Sequence, residues 1–220
     1  MRDDLSFCRV DDRLIFLDLQ TDRYLRLSDR LERAFVASLA NDQPDDNDIA
    51  DLIRQRILTE DPLSGRPSVR PVLATRSAIE LGAPADALNI PILLDAFVTV
   101  CSTQLQLAIR NLKTIIDRLV IYRDSNSDPH AANSREMPLQ RLLSTVGAFR
   151  KARSYVPIET CCLLDALSLV KFLARRKLSA NIVFGVTLDP FSAHCWVQAA
   201  DWVLSDTVGN VAAHTPIRVV

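Results

Sequence analysis

The sequence predicts an α+β protein. Three observations carry this: period-two alternation near the N-terminus, long helical periods through the middle, and a helix followed by strands in the last third. Leu5–Val10 and Leu14–Leu19 read as strands, with Asp11-Asp12 as the turn between them. Thr21-Asp22 is a second turn, before a short strand Tyr24–Leu27. Ser28 and Asp29 supply a helix start for residues 31–39. Asp45–Asp48 open another helix, with Ile49, Leu52, Ile53 and Ile57 on one face. Pro62, Gly65, Pro67 and Pro71 deny residues 61–72 any regular element. That stretch is the expected linker between a first domain, 1–60, and a second, 73–220. Ile90–Ala108 and Leu112–Ile121 carry helical periods, Asp124–Arg135 is a polar loop, and Pro138–Ala152 is a further helix. A helix over about 160–176 and strands near 180–188, 193–199, 202–207 and 216–220 complete the chain, with the expected catalytic core at 157–220.

Composition narrows the function. The chain has 26 basic and 27 acidic residues, a formal charge of -1. A nucleic-acid binder would carry a basic excess, so no nucleic-acid partner is expected. The second candidate helix carries Asp45, Asp46, Asp48 and Asp51, which repel phosphate. No apolar run is read as approaching the roughly 20 residues that span a bilayer, and Met1-Arg2-Asp3-Asp4 does not begin a signal peptide. No membrane partner and a cytoplasmic location are expected. With only five glycines there is no phosphate-cradling loop, so no cofactor is expected to be bound directly. Five cysteines without CxxC spacing are expected as free thiols.

Chemistry concentrates in the last third. Pro157 and Thr160 mark a helix start and put Cys162 in the first turn. Unpaired N–H groups and the helix dipole favour a thiolate there, and the Cys162 N–H is a natural oxyanion donor. Cys161 has the same claim, but helical neighbours point about 100° apart, so only one can face a given partner. In Ala193-His194-Cys195-Trp196, alternation puts His194, Trp196 and Gln198 on one face of a strand. If Ala199-Ala200-Asp201 is a three-residue loop, the next strand brings Asp206 directly opposite His194. A two-residue loop would put Asp206 on the wrong face. Cys162 would then be the nucleophile, His194 the base and acid, and Asp206 the group that fixes the imidazole. No metal site is expected, because His194 and Cys195 face opposite ways. His130 is read as solvated in its loop, and nothing in the sequence orients His214.

The run Cys162-Leu163-Leu164-Asp165-Ala166-Leu167-Ser168-Leu169, then Phe184-Gly185-Val186, Pro190-Phe191-Ser192-Ala193-His194-Cys195-Trp196-Val197 and Asp206 resembles the lasso-peptide maturation B proteins. The resemblance implies a transglutaminase-like, papain-like cysteine protease domain with an antiparallel sheet. Its triad falls on Cys162, His194 and Asp206, and it selects Cys162 over Cys161. It implies an enzyme that removes the leader of a ribosomally made precursor peptide. A separate ATP-dependent, asparagine-synthetase-like cyclase then closes the freed core, and it is that partner which uses ATP. The family often has Gly where Lys177-Leu178 closes the helix here. Three strands followed by helices in residues 1–60 are similar to the winged helix-turn-helix-like chaperone of pyrroloquinoline quinone synthesis. A fused recognition element would take the leader by strand addition. Its contacts are expected at Tyr24, Leu25, Leu27, Ile49, Leu52 and Ile53, any of which could instead be core. The alternative to a peptidase is a non-catalytic protein that binds and presents the precursor.

Overall fold

The computed structural model describes residues 2, 4–40, 42, 44–59, 71–82, 89–126 and 137–220. The fold is α+β: a three-stranded antiparallel sheet with two helices, then a helical bundle against a five-stranded sheet. Strands β1 (Leu5–Val10) and β2 (Arg13–Asp18) form a hairpin that pairs Val10 with Arg13. Asp11 and Asp12 both take positive φ, as a two-residue turn that follows strand twist requires. Strand β3 (Arg23–Leu25) pairs with β2, and among the described residues its other edge is unpaired.

Strand β2 is buried on both faces. Leu14 and Phe16 point into a small cluster with Leu31 and Phe35 of helix α1 (Asp29–Leu39) and Leu52 of helix α2 (Asp46–Arg54). Ile15 and Leu17 point the other way, into the large core of the rest of the chain. Two hydrogen bonds continue this attachment: Lys113 N–H donates to the Leu19 carbonyl (3.2 Å), and Arg218 donates to the Ser6 hydroxyl (2.8 Å). The expected linker 61–72 lies outside the described residues except for its last two positions, and His130 lies wholly outside them.

Helices α3 (Ile90–Ile109), α4 (Leu112–Asn126) and α5 (Met137–Arg153) surround helix α6 (Cys162–Ala174), whose apolar residues are buried almost all round. Asn89 caps α3 by accepting from Ile92 N–H. The reading that no apolar run approaches a membrane span is corrected here. Helix α3 has the length and composition of one, with Asp95 its only charge, although most of it is not buried. Its apolar run continues past Ala108 because Arg110, in extended backbone, is what ends the helix.

The second sheet has the order β4-β7-β6-β5-β8, from β4 (Arg76–Ser77), β5 (Asn181–Thr187), β6 (Ser192–Ala199), β7 (Trp202–Val203) and β8 (Thr215–Val219). It is mixed rather than purely antiparallel, because β4 pairs parallel with β7. Helix α7 (Val208–Ala212) lies between β7 and β8. Helix α6 closes with Lys177 in the left-handed region, φ 59°, where Leu178 N–H donates to the Leu173 carbonyl at 3.1 Å. A side chain there carries a steric penalty that glycine does not.

The Lys177→Gly variant is therefore expected to be more stable by about 1 kcal/mol, measured as a shift in the urea midpoint at unchanged slope.

Candidate active site

Cys162 opens α6 as its first helical residue, after Cys161, which caps the helix with extended backbone and no side-chain bond. The residue is exposed at the helix mouth. The segment leading to it is held by buried Arg153, which donates to Asp165 (2.6 Å) and to the carbonyls of Val156 and Glu159. One guanidinium thus fixes the first turn of α6 and the chain that enters it.

His194 lies in β6 opposite Gly185 of β5. His194, Trp196 and Gln198 share a face, as alternation requires. The imidazole stacks on buried Trp196 at 6.1 Å and 23°, and the Trp196 N–H donates to Gln198. Gly185 makes room for this stack: a Cβ there would lie 2.7 Å from the Trp196 ring.

Asp206 reaches His194 by a route the sequence reading did not foresee. The β6–β7 loop has two residues, Ala200 and Asp201, so Ala199 pairs with Trp202 and Gln198 with Val203. That register would carry Asp206 to the wrong face, as argued above. The ladder stops first. Leu204 N–H still donates to the Val197 carbonyl, but Val197 N–H donates to the Ser205 hydroxyl instead of to a backbone oxygen. The chain bends at 204–206, and Asp206 comes to 2.5 Å from His194 Nε2. Ser77 of β4 donates to the Asp206 carbonyl (2.6 Å), and Asp206 accepts from Thr207 N–H (2.7 Å) and the Asn210 amide (2.8 Å).

These placements bring Cys162, His194 and Asp206 together. With Nε2 engaged by Asp206, Nδ1 is the imidazole nitrogen left for the sulfur. The Cys162 thiol is brought down to about 4 because the Cys195 thiol and His194 hydrogen-bond to its anion, with burial opposing them. His194 is raised above 6.5, chiefly by that same bond to Cys162. The bond to Cys162, and burial after it, push the Cys195 thiol up, so it stays a donor. The result is a thiolate–imidazolium pair open to solvent on one side, which is the arrangement for nucleophilic attack on a carbonyl.

Three neighbours were missed in the sequence. Cys195 was set aside because it faces away from His194, yet it lies beside Cys162. Asn210 holds the Asp206 carboxylate. His214 is oriented after all: its Nδ1 meets the Asn210 carbonyl at 2.8 Å and its ring lies 5.3 Å from that of His194. The spacing of Asp206, Asn210 and His214, four residues each, was the available signal for a helical turn. Among the described residues, no group of three His, Cys, Asp or Glu side chains is placed to hold a metal ion.

The six residues expected to bind a leader divide. Leu27 and Leu52 are buried in the small core and offer no surface, which corrects their expected role. Leu25, Ile49 and Ile53 are half-buried around the same helices. Tyr24, on the edge strand β3, packs against the large core and meets Phe191 edge-to-face at 5.8 Å. Burial raises its hydroxyl well above the usual range, with the thiols of Cys195 and Cys162 adding to it. Tyr24 is thus near enough to both sulfurs for their charge to act on it.

The family model described as the transglutaminase-like superfamily matches residues 100–219, more than half of the 220-residue chain. No curated protein and no solved structure matches the chain.

Alkylation of Cys162 by iodoacetamide, followed by mass spectrometry, is expected to stay fast down to the low pH at which the thiolate takes up its proton, near 4, far below an ordinary thiol near 9. A lowered thiol pKa keeps the anion above that value and loses it as pH falls through it. Cys195→Ala removes a donor to the anion, so this limb moves to higher pH. An unmoved limb would count against the Cys195 contact.

Proposed function

Since the chain belongs to the transglutaminase-like superfamily, we propose that it is a cysteine peptidase that removes the leader from a ribosomal lasso-peptide precursor. The observation that carries the reading is an exposed cysteine at a helix N-terminus, paired with His194 that is itself bonded to Asp206. The sulfur of Cys162 attacks the last leader carbonyl, and the developing oxyanion meets the N–H groups at the start of α6. The His194 imidazolium gives its proton to the departing amine as the C–N bond breaks. The core leaves with a free N-terminus, and the leader stays as a thioester. Water, deprotonated by His194, releases the leader and restores the thiol. Asp206 holds the imidazole in the tautomer that keeps Nδ1 toward the sulfur.

In this reading the leader adds as a strand to the free edge of β3, with Leu25, Ile49 and Ile53 contributing side-chain contacts. Tyr24 stands where the bound strand passes into the cleft. The freed core is the substrate of an asparagine-synthetase-like cyclase, which carries the ATP chemistry. The alternative, a protein that only presents the precursor, gives no role to a thiolate whose acid partner is locked in one orientation.

The test uses precursor peptides encoded beside this chain's gene, with free leader measured by mass spectrometry. Wild type is expected to release leader, and Cys162→Ala and His194→Ala to lose activity by similar, large factors, since such groups act as a unit. Asp206→Ala retains more. Equal leader release by wild type and Cys162→Ala would sink the peptidase reading. The alkaline limb of kcat/KM is expected above the ordinary histidine range, because His194 is raised and its proton is what the leaving amine needs.

The Ile53→Asp variant is expected to raise KM several-fold at nearly constant kcat. Loss in kcat alone would contradict the division between recognition and cleavage.

A further inference from the structure

Helix α3 presents two opposite faces. Ala96, Thr99, Val100 and Thr103 are buried against the bundle. On the other side Ile90, Leu94, Phe97, Val98, Leu105 and Ile109 are between 44% and 71% exposed. At 100° per residue these six fall in one stripe, centred opposite the buried face and running the helix length of about 28 Å. The stripe carries no charge. Asp95, the one ionic side chain of α3, lies beside it and is already paired with Arg175 and Arg176.

We propose that this face is the interface of a two-fold homodimer, α3 packing antiparallel on α3 of a second copy. The stripe is self-complementary. A two-fold axis between Thr99 and Val100 sets Ile90 opposite Ile109 of the second copy, and Leu94 opposite Leu105 of the second copy. Such coincidence of a patch with its own rotated image is what an isologous interface requires. Each exposed side chain offers on the order of 100 Å² of apolar surface. Six give roughly 600 Å² per copy and about 1,200 Å² for the pair, where specific interfaces begin. An interfacial membrane helix would border its apolar face with Lys and Arg, and α3 has neither within its span. The proposal is independent of the peptidase reading, and its test uses no substrate.

Sedimentation velocity on the full chain, from micromolar to submillimolar, is expected to show a monomer–dimer equilibrium. The L94E variant weakens it by at least about tenfold in Kd. The double variant L94E/L105K restores it, because only the antiparallel register puts each new acid opposite a new base. Circular dichroism and Cys162 alkylation, unchanged in all variants, separate dissociation from unfolding. Should L94E unfold, a short bifunctional thiol reagent decides on wild type. Cys101 and its copy flank the axis, so a cross-linked dimer forms in wild type and is lost in Cys101→Ser. A wild type that stays monomeric, a dimer indifferent to L94E, or a monomer that floats with anionic vesicles would overturn the proposal, the last assigning the face to a lipid surface.

Discussion

The site depends on a break in a β-ladder. A two-residue loop and unbroken pairing would deliver Asp206 to the face away from His194. Ser205 prevents this by offering its hydroxyl to Val197 N–H, so the backbone oxygen that would prolong the strand is not needed there. Side-chain bonds of this kind compete with regular structure wherever Ser stands near a strand end. Ser77 then holds the Asp206 carbonyl, and Asn210 its carboxylate. Strand β4, two residues long, exists in this sheet largely to place Ser77, and Asp201 anchors it through Arg76 and Thr75. A carboxylate with several independent ties costs little to keep oriented when the imidazole beside it gains or loses a proton.

The opposing half of the site rests on α6. A helix whose apolar residues are buried nearly all round has one place it can put its first turn, and Arg153 fixes that turn from outside through Asp165. Lys171, farther along, reaches Thr103 and Gln106 of α3 and is lowered to about 8 by burial and by Arg175. Polar ties of this depth are stable only when satisfied, and they bind the helix that bears the sulfur to the helix whose outer face is bare.

Much of this was legible in the residues, for physical reasons that also mark the limits. The hairpin was legible because two short apolar segments, Leu5–Val10 and Leu14–Leu19, flank the Asp11-Asp12 turn, although β2, buried on both faces, reads as a continuous apolar run rather than an alternation. Alternation placed His194 and Trp196 on one face. Strand β4 left no trace, since two residues establish no alternation, and helix α7 left only the four-residue spacing of Asp206, Asn210 and His214. Strand β7 was read too long because Leu204–Asp206 keeps strand composition while bending away. Cys195 was misjudged for a different reason. Opposite faces of a strand separate two side chains from each other, but not from a third group at the strand's end, where Cys162 meets both. Leu27 and Leu52 show the converse: a residue type suited to binding is equally suited to a core, and only packing decides.

Strand β2 bears on what the N-terminal sheet is for. A recognition module tethered by a linker could turn freely, and its ligand would then reach the cleft by chance, at an effective concentration set by linker length. Here Leu14 and Phe16 pack into one core while Ile15 and Leu17 pack into the other, so the sheet cannot rotate without exposing one of them. The free edge of β3 is thereby held in a fixed relation to Cys162, with Tyr24 against Phe191 at the junction. A peptide laid along that edge advances about 3.3 Å per residue, and its register on β3 determines which carbonyl arrives at the sulfur. Under the proposed reading the cleavage point follows from strand register as much as from the side chains at the scissile bond, which suits an enzyme that must cut once, at the boundary between leader and core.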